Sequence, residues 1–300
     1  MNAPTPPNSP PTTPTEWLHL GWAWKGIWLP PAEGPGTEVV VALHGFGRPL
    51  EEMLAYRPLY PPTTAFLSVG LMHHNGSHVT SNLLPTTPLP VHVFQDALDD
   101  WVASQAGGRP MPKHLLAYSL GGRVAMALLE HAPSSWAGAT LLAPDGFKKN
   151  PLYRVAVETR FGAALWRWSN RHIDGVRAAI RGLRTARLLP SHLAHFALHH
   201  TEDTAMRTLV ANTWMTHREF WPTKGGLRRA WNHPSAGRFV AVFGDRDRII
   251  RWSWSRTWRT ALPPHVHFVQ VPSGHVMRHP ETVEHLRRVI LHVATTVSTS

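Results

Sequence analysis

The chain has no cysteine in its 300 residues. That excludes disulfides, thiolate nucleophiles and every metal site built on thiolates, and it agrees with a reducing compartment. Also missing is an apolar run long enough to span a bilayer, which takes about 20 residues as a helix. The opening stretch, Met1 to Pro11, has neither a basic start nor an apolar core, so no secretory signal is expected. A cytoplasmic protein without membrane insertion is the expectation.

Acidic residues are scarce, 19 against 30 Lys and Arg, for a net charge of +11. The imbalance is local. Between Lys148 and Ser235 there are fifteen Lys or Arg and five Asp or Glu, so +10 of the +11 falls there. A basic surface of this kind suits an anionic small-molecule substrate. More often such a run is a solvated helix face, and charge alone names no nucleic-acid partner. Residues 1–15 are rich in Pro and Thr. Such a segment buries little apolar surface, and a disordered tail is expected.

What is present begins with Leu115-Leu116-Ala117-Tyr118-Ser119-Leu120-Gly121-Gly122-Arg123. An apolar run ends at a serine between small residues, and a helical pattern starts there. This differs from the G-x-S-x-G nucleophile elbow only in having Ala117 for the first glycine. A serine nucleophile needs a histidine to take its proton and an acid to orient that histidine. Phe239–Gly244 reads as a buried strand, and Asp245-Arg246-Asp247 follows it. Val266–Val271 reads as the next strand, and Pro272-Ser273-Gly274-His275 follows that. Upstream, Val39–Leu43 is a strand ending in His44-Gly45-Phe46-Gly47.

These ordered landmarks resemble the α/β-hydrolase superfamily, from about residue 37 to the end apart from a middle insert. Ala117 to Arg123 and Leu142-Ala143-Pro144-Asp145-Gly146 are similar to uncharacterised bacterial members. The elbow is also similar to that of the menaquinone-pathway lyase that eliminates pyruvate. The resemblance implies Ser119 as nucleophile, His275 as base and Asp247 as orienting acid, the last by its Gly244-x-x-Asp247 spacing. Asp245 and Asp145 are the alternative acids. The backbone amides of Phe46 and Leu120 are the implied oxyanion donors. His44 suits a structural role, holding its loop through ring hydrogen bonds.

The expected fold is a mostly parallel α/β sheet flanked by helices, over residues 16–147 and 236–300. Its further strands are Trp22–Leu29 as an edge, Ala65–Val69, Lys113–Tyr118 and Ala139–Ala143. Val91–Val102, Leu120–His131 and Glu281–Ala294 are its helices. All the site residues then fall at the carboxyl ends of strands, where such sheets bind ligands. Residues 148–235 form the insert, a helical cap expected over the site. In it Ile173, Val176, Ile180 and Leu183 recur at helical spacing beside Arg177, Arg181 and Arg184, an amphipathic helix. Leu193–His200 and Ala205–Trp214 are further helices. His73, His74 and His78, and His192, His195, His199 and His200, form histidine groups. Neither fits the H-E-x-x-H pattern, and no metal or cofactor is expected.

The implied activity is a serine hydrolase cleaving an ester of a small molecule. Two alternatives remain: a pyruvate-eliminating lyase using the same three residues, and a non-catalytic binding protein on this fold.

Overall fold

The computed structural model describes residues 13–149, 151–159, 164, 168, 172–186 and 203–297. Its nine strands are β1 Thr15–His19, β2 Trp22–Leu29, β3 Glu38–Leu43, β4 Thr64–Val69, β5 His78–Val79, β6 Lys113–Tyr118, β7 Gly138–Leu142, β8 Arg238–Gly244 and β9 Val266–Val271. They form one mixed sheet in the order β1-β2-β4-β3-β6-β7-β8-β9, with β5 also paired to β2. The six strands from β4 to β9 along that order pair in parallel, and β1, β2 and β5 are antiparallel to their neighbours.

The central strands are covered on both faces, which is why they read as continuous apolar runs rather than alternating ones. Val39 to Leu43 and Val240 to Phe243 are fully buried. The described helices are α1 Val91–Gln105, α2 Leu120–His131, α3 Pro151–Glu158, α4 Ile173–Thr185, α5 Thr204–Thr216, α6 Lys224–Trp231 and α7 Pro280–Val297. On one face, Val283, Leu286 and Ile290 of α7 join Met53, Tyr56 and Leu59 of a 3-10 segment, Leu50–Leu59, against Val40, Phe66, Leu116 and Val242. Elsewhere, Phe94 of α1 stacks on Trp24 at 5.4 Å and meets Phe220 edge-on at 6.1 Å.

Two differences from the sequence reading stand out. Trp22–Leu29 is not an edge strand, because Thr15–His19 pairs outside it and Trp17 stacks on Trp101 at 6.0 Å. Thr15, grouped with the tail, is therefore the first residue of β1. The described chain also falls into two compact units, and their boundary differs from that of the expected insert. One unit holds the sheet and runs to Leu83, over Pro90–Lys148 and from Glu219 onward. It includes α6, whose Leu227, Ala230 and Trp231 are buried despite the exposed charge beside them. Glu130 of α2 accepts from the Thr223 amide and hydroxyl, both at 2.7 Å, at the cap of α6.

The second unit comprises Leu84–Leu89 and Lys149–Arg218. Within it, the Leu89 amide donates to Thr216 O at 2.9 Å and the Thr216 hydroxyl to Pro85 O at 3.0 Å. Tyr153 of α3 meets Trp214 of α5 edge-on at 5.2 Å. The amphipathic helix is α4. The segment Leu193–His200, with His192, lies outside the described residues. No described helix is long and apolar enough to cross a membrane.

Candidate active site

Ser119 sits at the turn from β6 into α2 with φ 51° and ψ −113°. A non-glycine residue there is strained by roughly 1–3 kcal/mol, which surrounding structure must hold. The clamps are visible. The Ser119 amide donates to Leu142 O at 3.0 Å, and its carbonyl accepts from the Gly122 and Asp145 amides, each at 2.9 Å. The turn also demands close approach of α2 to β3. A Cβ on Gly121 would lie 2.3 Å from Leu43 O, and one on Gly122 would lie 2.6 Å from Pro144 Cβ. Glycines stand at 121 and 122 because the Leu43 backbone and the Pro144 ring fill the space a side chain would need.

The loops after β8 and β9 bring Asp247 and His275 to the same sheet end. His275 Nε2 is 3.2 Å from Ser119 Oγ, and His275 Nδ1 is 2.8 Å from Asp247 Oδ2. The Asp247 side chain is wholly shielded from solvent. Its other oxygen accepts from the Ile249 and Ile250 amides at 2.8 and 2.9 Å. Burial pushes this carboxyl up, but the His275 ring and the two amides outweigh it, and its pKa is lowered. An ionised Asp247 accepts a hydrogen bond from His275 Nδ1–H and leaves the Nε2 lone pair facing Ser119. Tyr118 lies against the His275 ring, with centroids 5.3 Å apart.

The other two acids are placed elsewhere. Asp245 is exposed and faces Arg246 at 3.4 Å. Asp145 accepts from the Gly146 amide at 2.7 Å and lies 3.7 Å from Arg123. Arg123 is itself buried, with its guanidinium 4.6 Å from the Trp221 ring centre.

The loop after β3 closes the site. A Cβ on Gly45 would lie 3.2 Å from Ser119 Cβ, so this backbone runs directly beside the serine. Among the described residues the Phe46 and Leu120 amides find no protein acceptor. Leu120 is the first residue of α2, where the amides point out of the helix and favour negative charge.

His44 is fully buried and its pKa is lowered to about 3, first by burial and then by the neighbouring His74. Its Nδ1 lies 2.7 Å from Gly45 O, and its Nε2 accepts from the Leu71 amide at 2.9 Å. The Leu71 donor fixes the tautomer: Nε2 is bare and Nδ1 carries the proton. Of the upstream histidines, His74 is buried with Nδ1 3.0 Å from Met72 O, and His78 Nδ1 lies 3.0 Å from Gly76 O. One polar neighbour escaped the sequence reading. Asn75 has φ 55° and donates to His44 Nε2 at 3.0 Å and to Arg48 O at 3.1 Å.

No protein-family model matches the chain, and no curated protein sequence matches it. Solved structures do. A hydrolase from Pseudomonas aeruginosa aligns with a TM-score of 0.58 at 15% identity, covering 95% of this chain and 99% of that one. A thermophilic esterase from Thermogutta terrifontis aligns with a TM-score of 0.57 at 14% identity, covering 96% and 98%. A bottromycin epimerase, solved with bottromycin A2, aligns with a TM-score of 0.55 at 18% identity, covering 92% and 98%. At such identities the likeness is one of fold.

Proposed function

Because the chain has the α/β-hydrolase fold, we propose that it is a serine hydrolase acting on a carboxylic ester of a small molecule. One fold hosts many chemistries, and its neighbours here include an epimerase, so the site must carry the argument. The observation that carries it is the continuous line Asp247–His275–Ser119, at 2.8 and 3.2 Å, with the Phe46 and Leu120 amides lacking acceptors among the described residues.

In this reading Ser119 Oγ attacks the ester carbonyl carbon while His275 Nε2 takes the serine proton. The carbonyl oxygen becomes an oxyanion held by the Phe46 and Leu120 amides. Collapse breaks the bond to the alcohol oxygen, which leaves with the proton from His275. Water then attacks the acyl-enzyme, giving a proton to His275. The second collapse frees the acid and returns that proton to Ser119. Asp247 holds the imidazole tautomer and balances the imidazolium. These steps need no cofactor. We place the enzyme in the cytoplasm, on its cysteine-free composition, and propose that the net positive charge carried by residues 148–235 favours anionic substrates.

The lyase reading draws on Arg123 for an anionic substrate. A buried Arg123 beside Trp221 and Asp145 weighs against that use. A panel of short-chain esters tests the proposal. Turnover by the wild type and its loss in Ser119→Ala are expected. Elimination chemistry without ester turnover would refute it.

A further inference from the structure

The proposed mechanism needs the Phe46 amide to point at the nascent oxyanion. We infer that Asn75 is a positioning residue for this amide, acting through His44. The inference rests on the serine-hydrolase reading above and deepens it.

The Gly45 carbonyl and the Phe46 N–H belong to one peptide unit, and no peptide bond in the described chain is cis. In a trans unit the two groups point in opposite directions. Holding the carbonyl therefore aims the amide. Two donors hold it: His44 Nδ1 at 2.7 Å and the Arg48 amide at 3.2 Å. Only the Nδ1-protonated tautomer of His44 can donate there. The Leu71 amide at Nε2 is enough to fix that tautomer, and a second donor there holds the ring's orientation.

Asn75 supplies one of those donors and ties the far side of the same turn. Its Nδ2 donates to His44 Nε2 at 3.0 Å and to Arg48 O at 3.1 Å. Both acceptors lack a proton to offer, so the side-chain orientation is fixed, nitrogen inward. The backbone suits the task. At φ 55°, Asn is among the few side chains that adopt the left-handed region readily. The next turn residue, Gly76, has φ 85° and hydrogen bonds flank the loop: the Ser77 amide donates to His74 O at 2.8 Å. His74 also packs against the Phe46 ring edge, centroids 5.4 Å apart, so the same loop supports both the backbone and the side chain of Phe46.

Asn75→Gly tests this. Glycine adopts the positive φ readily and removes the side chain with its amide. Asn75→Asp is the second variant, placing acceptors against Arg48 O and His44 Nε2. In the full-length protein, kcat for the best ester should fall roughly tenfold in Asn75→Gly and further in Asn75→Asp, with KM within about twofold. Affinity for a trifluoromethyl ketone, which forms an oxyanion on Ser119, should fall by the same factor as kcat/KM. A purely structural role would lower thermal stability without that parallel loss below the melting transition. Wild-type activity with unchanged kcat in both folded variants, or a change confined to KM, would overturn the inference and leave the hydrolase reading standing. A wild type inert to esters and to the ketone would overturn both.

Discussion

Acid should destabilise this protein through one buried imidazole next to the turn at Ser119. His44 is neutral in the fold, with a pKa of about 3 against an ordinary 6.5. Protonating Nε2 would set an N–H against the Leu71 and Asn75 donors, at a fully buried ring. The unfolded chain takes the proton at the ordinary value. Between pH 6.5 and 3 the unfolded state thus binds more protons, so stability is full above pH 6.5 and drains as pH falls. At about 1.4 kcal/mol per pH unit, His44 alone should cost about 2 kcal/mol between pH 7 and pH 5. His74 and His267, also lowered by burial, act in the same direction. Urea unfolding of the wild type and of His44→Gln at both pH values isolates the His44 share. The variant starts less stable but should lose about 2 kcal/mol less on acidification. Equal losses in the two proteins would refute a buried, neutral His44.

Other expectations follow from the same geometry. Asp247→Asn leaves the shape intact but favours the wrong His275 tautomer, so kcat should fall by about 10⁴-fold. Asp145→Asn and Asp245→Asn, whose carboxylates lie away from His275, should stay within about threefold in the same ester assay. Gly121→Ala would force a methyl to 2.3 Å from the Leu43 carbonyl and 2.8 Å from that of His44. Backbone on both sides leaves little room to relax, and a loss of about 3 kcal/mol or more in denaturant unfolding is expected.

The sheet centre is legible in the sequence because strands covered on both faces read as unbroken apolar runs, as in Val39–Leu43 and Phe239–Gly244. The three residues brought into one line are legible for a related reason: each follows a strand pattern, at a turn marked by glycine. β1 is hidden because Trp17 and Leu18 are adjacent apolar residues beside a proline-rich stretch. They show no clean alternation, and Leu18 stays exposed. α6 reads with the insert because Arg228 and Arg229 dominate its composition, while its placement depends on the buried Leu227 and Trp231. The role of Asn75 is invisible locally. Its partners, His44 and Arg48, lie 31 and 27 residues away, and only the parallel pairing of β3 with β4 brings their loops together.

The central claim is an activated serine at position 119. Intact-mass and peptide analysis after a fluorophosphonate treatment measures it directly. The account predicts one adduct per chain, on Ser119, formed quickly in the wild type, slowed by orders of magnitude in His275→Ala and absent in Ser119→Ala. Folded wild-type protein that takes no adduct, or takes it equally well in Ser119→Ala, would contradict it.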